Sequence, residues 1–178
     1  MIDKTDFRKQ SLTHLRKISK QGAYRKDKYI VSALYEKIKS NNVNSVLLYI
    51  ALSMEVNLMP LIVQLRKEGK RIYVPFMEGK SFRVVRYRLP LFKKQFGIKE
   101  PNNSKQYKKK QIDLAIVPIV GTDKTFRRVG FGKGMYDRYF EKEYKNTKEV
   151  IFVARALCYS KEVLTNHYDV RADSIITP

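Results

Sequence analysis

Between residues 112 and 139 the chain runs from an unbroken apolar segment through a cluster of glycines into an amphipathic helix, and few folds accommodate that order. Ile112-Asp113-Leu114-Ala115-Ile116-Val117 reads as a buried central strand, and Pro118 to Thr125 as an irregular loop leaving it. Arg128-Val129-Gly130-Phe131-Gly132-Lys133-Gly134 then places glycine at alternate positions, which lets the backbone turn tightly and present N–H groups to an anion. Tyr136, Phe140 and Tyr144 recur at helical spacing, so the helix after the glycines packs an aromatic stripe on the sheet. Its positive dipole end meets the loop where Arg128 and Lys133 add full charges.

Two phosphate-binding motifs are excluded. A Walker A loop requires Ser or Thr after Gly-Lys, and Gly134 follows Gly132-Lys133. The dinucleotide fingerprint requires a glycine where Met135 stands. From local chemistry the segment is either a phosphate cradle of another type or a glycine-rich turn with solvated cations. Asp137, in the first turn of the helix, either complements the helix dipole or holds a magnesium ion that bridges phosphates.

The rest of the chain supplies the layers around this unit. Residues 3–21 read as a first helix capped by Asp3 or Thr5, with Phe7, Leu12, Leu15 and Ile18 on one arc. Lys4 and Arg8 project into that same arc and either snorkel at its rim or point into a site with anions. Residues 24–40 give a second helix, with Ile30, Leu34 and Ile38 as its buried stripe and Asn41-Asn42 at its end. Ser45 to Ala51 is a near-continuous apolar run, as expected of a strand covered on both faces. Just past it, Glu55 stands where open α/β sheets bind ligands, or serves as a helix N-terminal carboxylate. A helix over 59–67 stops at Gly69. Strands follow at 71–75 and 82–87, joined by a turn at Glu78-Gly79-Lys80, and the last strands lie at 149–156 and 174–177. Phe96 to Pro101 reads by itself as a turn, and 102–110 as a polar surface excursion. His14 and His167 lie far apart in sequence and suit surface or packing roles; no nucleophile–base or metal-ligand spacing is present. A chain with this inventory works by positioning and electrostatics, as in phosphoryl transfer.

A length of 178 residues suits one domain, and a hydrophobic content of 43% suits a folded core. The formal charge of +20 admits two partner classes, nucleic acid and small polyanions. The tyrosines fall in helix and strand stripes instead of an exposed stacking platform, which argues against specific nucleic-acid binding. With one cysteine, a polar N-terminus and no apolar run of membrane-spanning length, the expected setting is the cytoplasm, without membrane association. A monomer is expected.

The run from Val117-Pro118 through Arg128-Val129-Gly130-Phe131-Gly132-Lys133-Gly134-Met135-Tyr136-Asp137 resembles the signature of the 5-formyltetrahydrofolate cyclo-ligases, or methenyltetrahydrofolate synthetases. That signature is roughly V-P-x-x-A-F-D, a short gap, then R-L-G-x-G-x-G-Y-Y-D. Lys4-Thr5-Asp6-Phe7-Arg8 is similar to the family's opening K-x-x-L-R, Glu55-Val56 to its E-V-D-T, and Phe96-Gly97-Ile98-Lys99-Glu100-Pro101 to its F-G-I-x-E-P. His167-Tyr168-Asp169-Val170-Arg171-Ala172-Asp173 is similar to its closing H-D-V-x-x-D, with one residue inserted and Asp173 a structural cap.

The resemblance implies a single three-layer, Rossmann-like α/β domain over 1–178, a mostly parallel sheet flanked by helices with its site at the C-terminal strand ends. The implied enzyme, a ligase, consumes ATP with Mg2+ to convert 5-formyltetrahydrofolate, polyglutamylated forms included, into 5,10-methenyltetrahydrofolate. Residue by residue, Lys4, Arg8, Arg128, Gly130, Gly132, Lys133 and Gly134 would hold ATP, and Asp137 with Asp169 the metal. Glu55, Gly132, Lys133, Gly134, Met135 and Tyr136 would line the folate site, with Lys133 and Tyr136 at the reacting end. The departures are Met135 for Tyr, Val129 for Leu, and Gly121-Thr122 for Ala-Phe; Met135 removes one expected aromatic wall.

Overall fold

A computed structural model of the chain describes residues 2–94, 97–101 and 111–178. The N-terminal helix α1 (Lys4–Ser19) starts at Asp3, whose carboxylate accepts hydrogen bonds from the backbone N–H groups of Thr5 and Asp6 at 2.7 and 2.8 Å. Two orphan donors are thereby satisfied by one side chain. Helix α2 (Ala23–Ser40) buries Ile30, Leu34 and Ile38. Strand β1 (Ser45–Leu47) is followed by a loop and then α3 (Met59–Lys67). After α3, Gly69 takes φ +73°. The N–H groups of Gly69 and Lys70 then bond back to the carbonyls of Arg66 and Leu65. This Schellman closure ends the helix where glycine tolerates a left-handed backbone.

Strands β2 (Arg71–Glu78) and β3 (Ser81–Arg86) form a hairpin through Gly79-Lys80, and β4 (Leu91–Lys93) pairs with β5 (Lys99–Pro101). The central strand β6 (Ile112–Pro118) leads to β7 (Gly121–Asp123), β8 (Arg128–Val129) and helix α4 (Met135–Glu143). A short 3-10 turn, β9 (Thr147–Val153), β10 (Tyr159–Ser160) and β11 (Ser174–Ile176) complete the chain. Among the described residues the main sheet has six strands in the order β11-β9-β6-β1-β2-β3, every neighbouring pair parallel except the terminal hairpin β2–β3.

Two apolar layers clamp this sheet, and the pleat sorts residues between them. Val46, Ile72, Val74, Leu114, Ile116, Ile151 and Val153 face α2 and α3. Leu47, Tyr73, Ala115, Val117, Val150 and Phe152 face α4. Alternate residues of each strand enter opposite cores, so the apolar runs of the sequence mark strands buried on both faces. The architecture is the expected α/β sandwich of a mostly parallel sheet between helices.

Four expectations change. The apolar run from Ser45 pairs as a strand only through Leu47, with one further bond from Leu48 N–H to the Tyr73 carbonyl at 2.9 Å. Beyond it, Tyr49 turns its hydroxyl to the Val56 carbonyl at 3.1 Å, pinning a loop in place of the ladder. The supposed irregular loop after β6 is instead a second sheet, order β10-β7-β8, built on Gly121 to Asp123. Glycine is required at 121, where a Cβ would lie 2.7 Å from the Cys158 carbonyl and 2.8 Å from the ring of Phe7. Tyr144 lies one residue past the end of α4 and is 42% exposed, meeting Phe140 edge-on at 6.1 Å between centroids but staying out of the core, while Tyr139 takes the core position between Phe82 and Phe140. The span 99–101 pairs as β5 with β4 and is not the expected turn. Phe96 and the expected excursion at 102–110 lie outside the described residues.

Candidate functional site

The strand order creates the site. From β1 the chain passes through α3 to β2 on one side, and from β6 through α4 to β9 on the other, with the two helices on opposite faces of the sheet. Adjacent strands whose following chain segments part in this way leave a crevice at their carboxyl ends, the switch point of an open sheet. The segment after β1 carries Glu55. The one after β6 carries the glycine cluster.

Residues 130–136 form a wall between two pockets. On one side Gly130, Gly132 and Gly134 join Lys4, Arg8, Asp137, Arg138 and Asp169 around a polar pocket of about 450 Å³. On the other side Phe131, Lys133, Gly134, Met135 and Tyr136 line an apolar cavity of about 230 Å³ with Tyr49, Glu55, Pro75, Met77 and Phe82. Alternation of glycine with larger residues therefore sorts small backbone surface to one pocket and side chains to the other.

In the polar pocket, Lys4 donates to both carboxylate oxygens of Asp169 at 2.7 and 2.6 Å, and Asp169 is only 4% exposed. One oxygen also accepts from the Asn166 N–H at 2.8 Å. Arg8 Nε donates to the Gly130 carbonyl at 2.8 Å, fixing helix α1 against the glycine loop. Asp137 is held less firmly: Oδ1 accepts from the Val170 N–H at 3.3 Å and Oδ2 lies 3.7 Å from the Arg128 guanidinium. At Gly134, φ is +61° and no side chain caps α4, so the first amides of the helix border the pocket.

Arg128 stands apart from the other cations of the pattern. It is 4% exposed, donates through Nε to the Pro118 carbonyl at 3.0 Å, and lies 4.8 Å above the Tyr136 ring. Its guanidinium lines the apolar cavity instead of the polar pocket that holds Lys4 and Arg8. A Cβ on Gly130 would fall within this guanidinium, so glycine there makes room for a buried arginine. Lys133 and Met135 likewise line the apolar side, while Gly134 borders both.

Glu55 sits in that cavity with Oε2 accepting from the Leu52 N–H at 2.7 Å. Burial raises its carboxyl to about 7, against smaller opposing pulls from the Leu52 bond, Arg128 and Arg155. Burial, with the Glu55 charge nearby, also raises the Tyr136 phenol far above its ordinary range, so its O–H is retained. The cavity thus offers a titrating carboxylate, a phenol O–H and the three cations Lys99, Arg128 and Lys133 in apolar walls, an arrangement suited to an apolar ligand body carrying a few polar groups.

A family model for the 5-formyltetrahydrofolate cyclo-ligases matches residues 1–178. The chain belongs to this family. It is similar to the 5-formyltetrahydrofolate cyclo-ligase of Haemophilus influenzae, at 26% identity over 93% of this chain and 95% of that protein. A probable cyclo-ligase of Schizosaccharomyces pombe is 30% identical over 70% of this chain and 69% of its own length. Among solved structures, the 5,10-methenyltetrahydrofolate synthetase of Aquifex aeolicus superposes with a TM-score of 0.79 at 28% identity, covering 98% of this chain and 89% of the other. The synthetase of Mycoplasma pneumoniae gives 0.74 at 25% identity and 98% of both chains. As a cyclo-ligase family member the chain is a ligase of folate one-carbon metabolism.

Three features of this cyclo-ligase escaped the sequence reading. Asp123, wholly buried, accepts from Thr125 N–H and Oγ1 at 2.9 and 2.6 Å, and from Leu164 N–H, Thr165 N–H and Thr165 Oγ1 at 2.8, 2.8 and 2.7 Å. Burial pushes its carboxyl up, but these bonds outweigh it and hold the group at about 2. Asp123 occupies the D of the V-P-x-x-A-F-D pattern, and the pattern alone could have singled it out. Arg138 donates through Nε to the Lys80 carbonyl at 2.6 Å and also bonds the Lys133 carbonyl, tying the glycine loop to the β2–β3 turn. Arg155, buried beyond β9, pairs with the half-buried Asp27, which no motif signals. Asp173 has a structural role: its carboxylate accepts from the Val150 N–H at 2.8 Å and fastens the last segment to β9. Among the described residues no helix is long and apolar enough to cross a membrane.

Proposed function

We propose that this chain converts 5-formyltetrahydrofolate to 5,10-methenyltetrahydrofolate while cleaving ATP to ADP and phosphate, with triphosphate and folate on opposite sides of the glycine wall. The observation that carries this reading is the sorting of residues 130–136 between a cationic, glycine-lined pocket and an apolar one that contains Glu55. Such a wall brings a phosphoryl donor and a heterocycle to one boundary without a protein nucleophile between them.

The formyl group on N5 is an amide whose oxygen is a poor leaving group. In the proposed sequence that oxygen attacks the γ-phosphorus, ADP departs, and an imidate-like phosphate results. N10 of the same substrate adds to the formyl carbon, the C–O bond breaks, phosphate leaves with the bonding pair, and the N10 proton is released. Lys4, Arg8 and the loop amides would bind the phosphates, and the buried charge of Arg128 would act from beneath the loop. Glu55 would accept hydrogen bonds from the pterin edge, and Tyr136 O–H and Lys133 would face the formyl end. Met135 fills the wall with an unbranched apolar side chain where the family pattern has an aromatic ring.

The carboxylates also suit Mg2+. Asp137 has weakly engaged oxygens beside the glycines, and among the described residues no cluster of three or more ligating side chains encloses a metal. One or two carboxylates with phosphate oxygens and water are the usual shell of this ion. Asp137 would hold it, with Asp169 joining where Lys4 turns to phosphate; the ion would neutralise charge on the transferring phosphoryl group.

The test is to mix the purified chain with 5-formyltetrahydrofolate and Mg-ATP and follow the absorbance of the methenyl product. Product formed in equal amount with ADP supports the proposal. A folded sample that forms none refutes it. If Mg-ATP but not folate protects against thermal unfolding, the nucleotide assignment stands and the folate assignment falls.

A further inference from the structure

The loop that carries Glu55 is gripped on both sides by the two members of one partly buried ion pair. Arg155 is 6% exposed and meets Asp27 of α2 in a two-armed contact, Nε to Oδ1 at 2.7 Å and a terminal nitrogen to Oδ2 at 2.8 Å. Its other terminal nitrogen donates to the Ser53 carbonyl at 2.9 Å, two residues before Glu55, and to Ser19 Oγ at 3.0 Å at the end of α1. Asp27 Oδ2 in turn accepts from the Asn57 N–H at 3.2 Å, two residues after Glu55. The segment between these anchors is regular in neither helix nor strand, so its shape depends on such contacts. Within it, Glu55 closes on Leu52 through its own N–H at 2.9 Å and its carboxylate at 2.7 Å.

We propose that the Asp27–Arg155 pair is a positioning device for Glu55: it fixes the loop after β1 so that the carboxylate meets the substrate heterocycle at one orientation. A guanidinium suits this task because its planar fork holds a carboxylate with two donors and keeps a third direction for a carbonyl. A lysine can pair with Asp27 but supplies one point charge, and it cannot hold Asp27 and the Ser53 carbonyl in the same fixed plane. The pair lies outside the cavity lining, so its effect on substrate passes through Glu55. The role extends to Ser19, which couples the end of α1 to the same loop.

This inference rests on the folate reading of the cavity, and the experiment separates the two. Kinetics of wild type, Glu55→Gln, Arg155→Lys and Asp27→Asn are measured with each substrate varied in turn, alongside thermal melts. In Arg155→Lys and Asp27→Asn the KM for 5-formyltetrahydrofolate should rise about tenfold while the ATP KM moves less than about twofold, the pattern of a lost binding orientation. The double variant should be no worse for folate than the poorer single one, because both residues act through one loop. A folate KM that stays at the wild-type value in Arg155→Lys, or that rises only in step with the ATP KM, overturns the positioning role. Should Arg155→Lys fail to fold, Asp27→Asn is read by the same criteria. If wild type makes no product, or Glu55→Gln leaves the folate KM unchanged, the folate reading fails and the positioning role falls with it.

Discussion

Replacing Glu55 by Gln should make the protein more stable and a poorer folate binder, and both effects should depend on pH. Burial raises the Glu55 carboxyl from an ordinary 4.5 to about 7, so the folded state holds this proton more tightly than the unfolded chain does. Its stabilising contribution is fully present below 4.5 and is lost as pH rises through about 7. At about 1.4 kcal/mol per pH unit the whole rise corresponds to about 3 kcal/mol. The residue keeps part of its surface in water, and discounting for that leaves on the order of 1–2 kcal/mol. Gln has the same size, can keep the Leu52 bond through its carbonyl oxygen, and carries no charge to desolvate. Against wild type, the variant should therefore be near neutral at pH 5 and more stable by that 1–2 kcal/mol at pH 8, a gain of roughly 3–6 °C in Tm for a domain of this size.

Urea unfolding of both proteins at pH 5 and pH 8 measures the difference, and taking it between variant and wild type cancels the other carboxylates. The ligand side moves oppositely. An ionised acceptor contributes about 1.5–3 kcal/mol to a hydrogen bond, so the folate KM of the variant should rise at least about tenfold at pH 8. In wild type the folate KM should fall as pH rises through 7. An identical stability difference at the two pH values would refute the burial argument for Glu55, and an unchanged folate KM would remove it from the binding site.

Other perturbations report on the opposite side of the glycine wall and on its support. Asp137→Asn keeps size but removes the charge a hard cation requires, so turnover with Mg-ATP should fall on the order of 100-fold; near-normal turnover at saturating Mg-ATP would assign Asp137 to helix-dipole and Arg128 contacts alone. Arg8→Ala removes the bond to the Gly130 carbonyl and should raise the ATP KM with a stability loss of about 1 kcal/mol, checked by steady-state kinetics and a thermal melt. Asp123→Ala strands the amides of Thr125, Leu164 and Thr165 and should lower stability by about 3 kcal/mol or more, seen as a Tm drop of roughly 10 °C. In wild type the Asp123 contribution is present above an ordinary 3.8 and is lost as pH falls towards about 2.

The legible and illegible parts of this molecule divide along a physical line. Helix α2 and its Ile30, Leu34 and Ile38 stripe were readable because burial follows the helical period within one contiguous segment. The strands β6 and β9 were readable because burial on both faces requires apolar side chains at nearly every position. Pairing partners were not, because strand order depends on contacts between distant segments; thus the crevice between β1 and β6 was invisible until the topology was known. Lys4, Arg8, Asp137 and Asp169 line one pocket, yet nothing local forecast that Lys4 would hold Asp169. Arg128 shows the sharper failure. Its neighbours suggest a phosphate contact, but Gly130 next to it admits the guanidinium to the interior, and burial places it on the other side of the loop.

That inversion clarifies what the glycines accomplish. A phosphate cradle needs exposed amides, and Gly134 with its left-handed backbone at the start of α4 meets this demand directly. Gly130 serves a different purpose: it clears space so that a full charge can lie under the loop, stacked on Tyr136 and 3.7 Å from Asp137. A cation in an apolar layer acts through a low effective dielectric, and its field reaches both pockets with less screening than a surface lysine would provide. It also holds Asp137 on the polar side and lowers the cost of an ionised Glu55 on the apolar side. One buried arginine therefore couples the carboxylate proposed for metal to the carboxylate proposed for folate. Any change at Gly130 that displaces the guanidinium should disturb both pockets at once, which separates it from changes at Arg8 or Met135, each confined to one side of the wall.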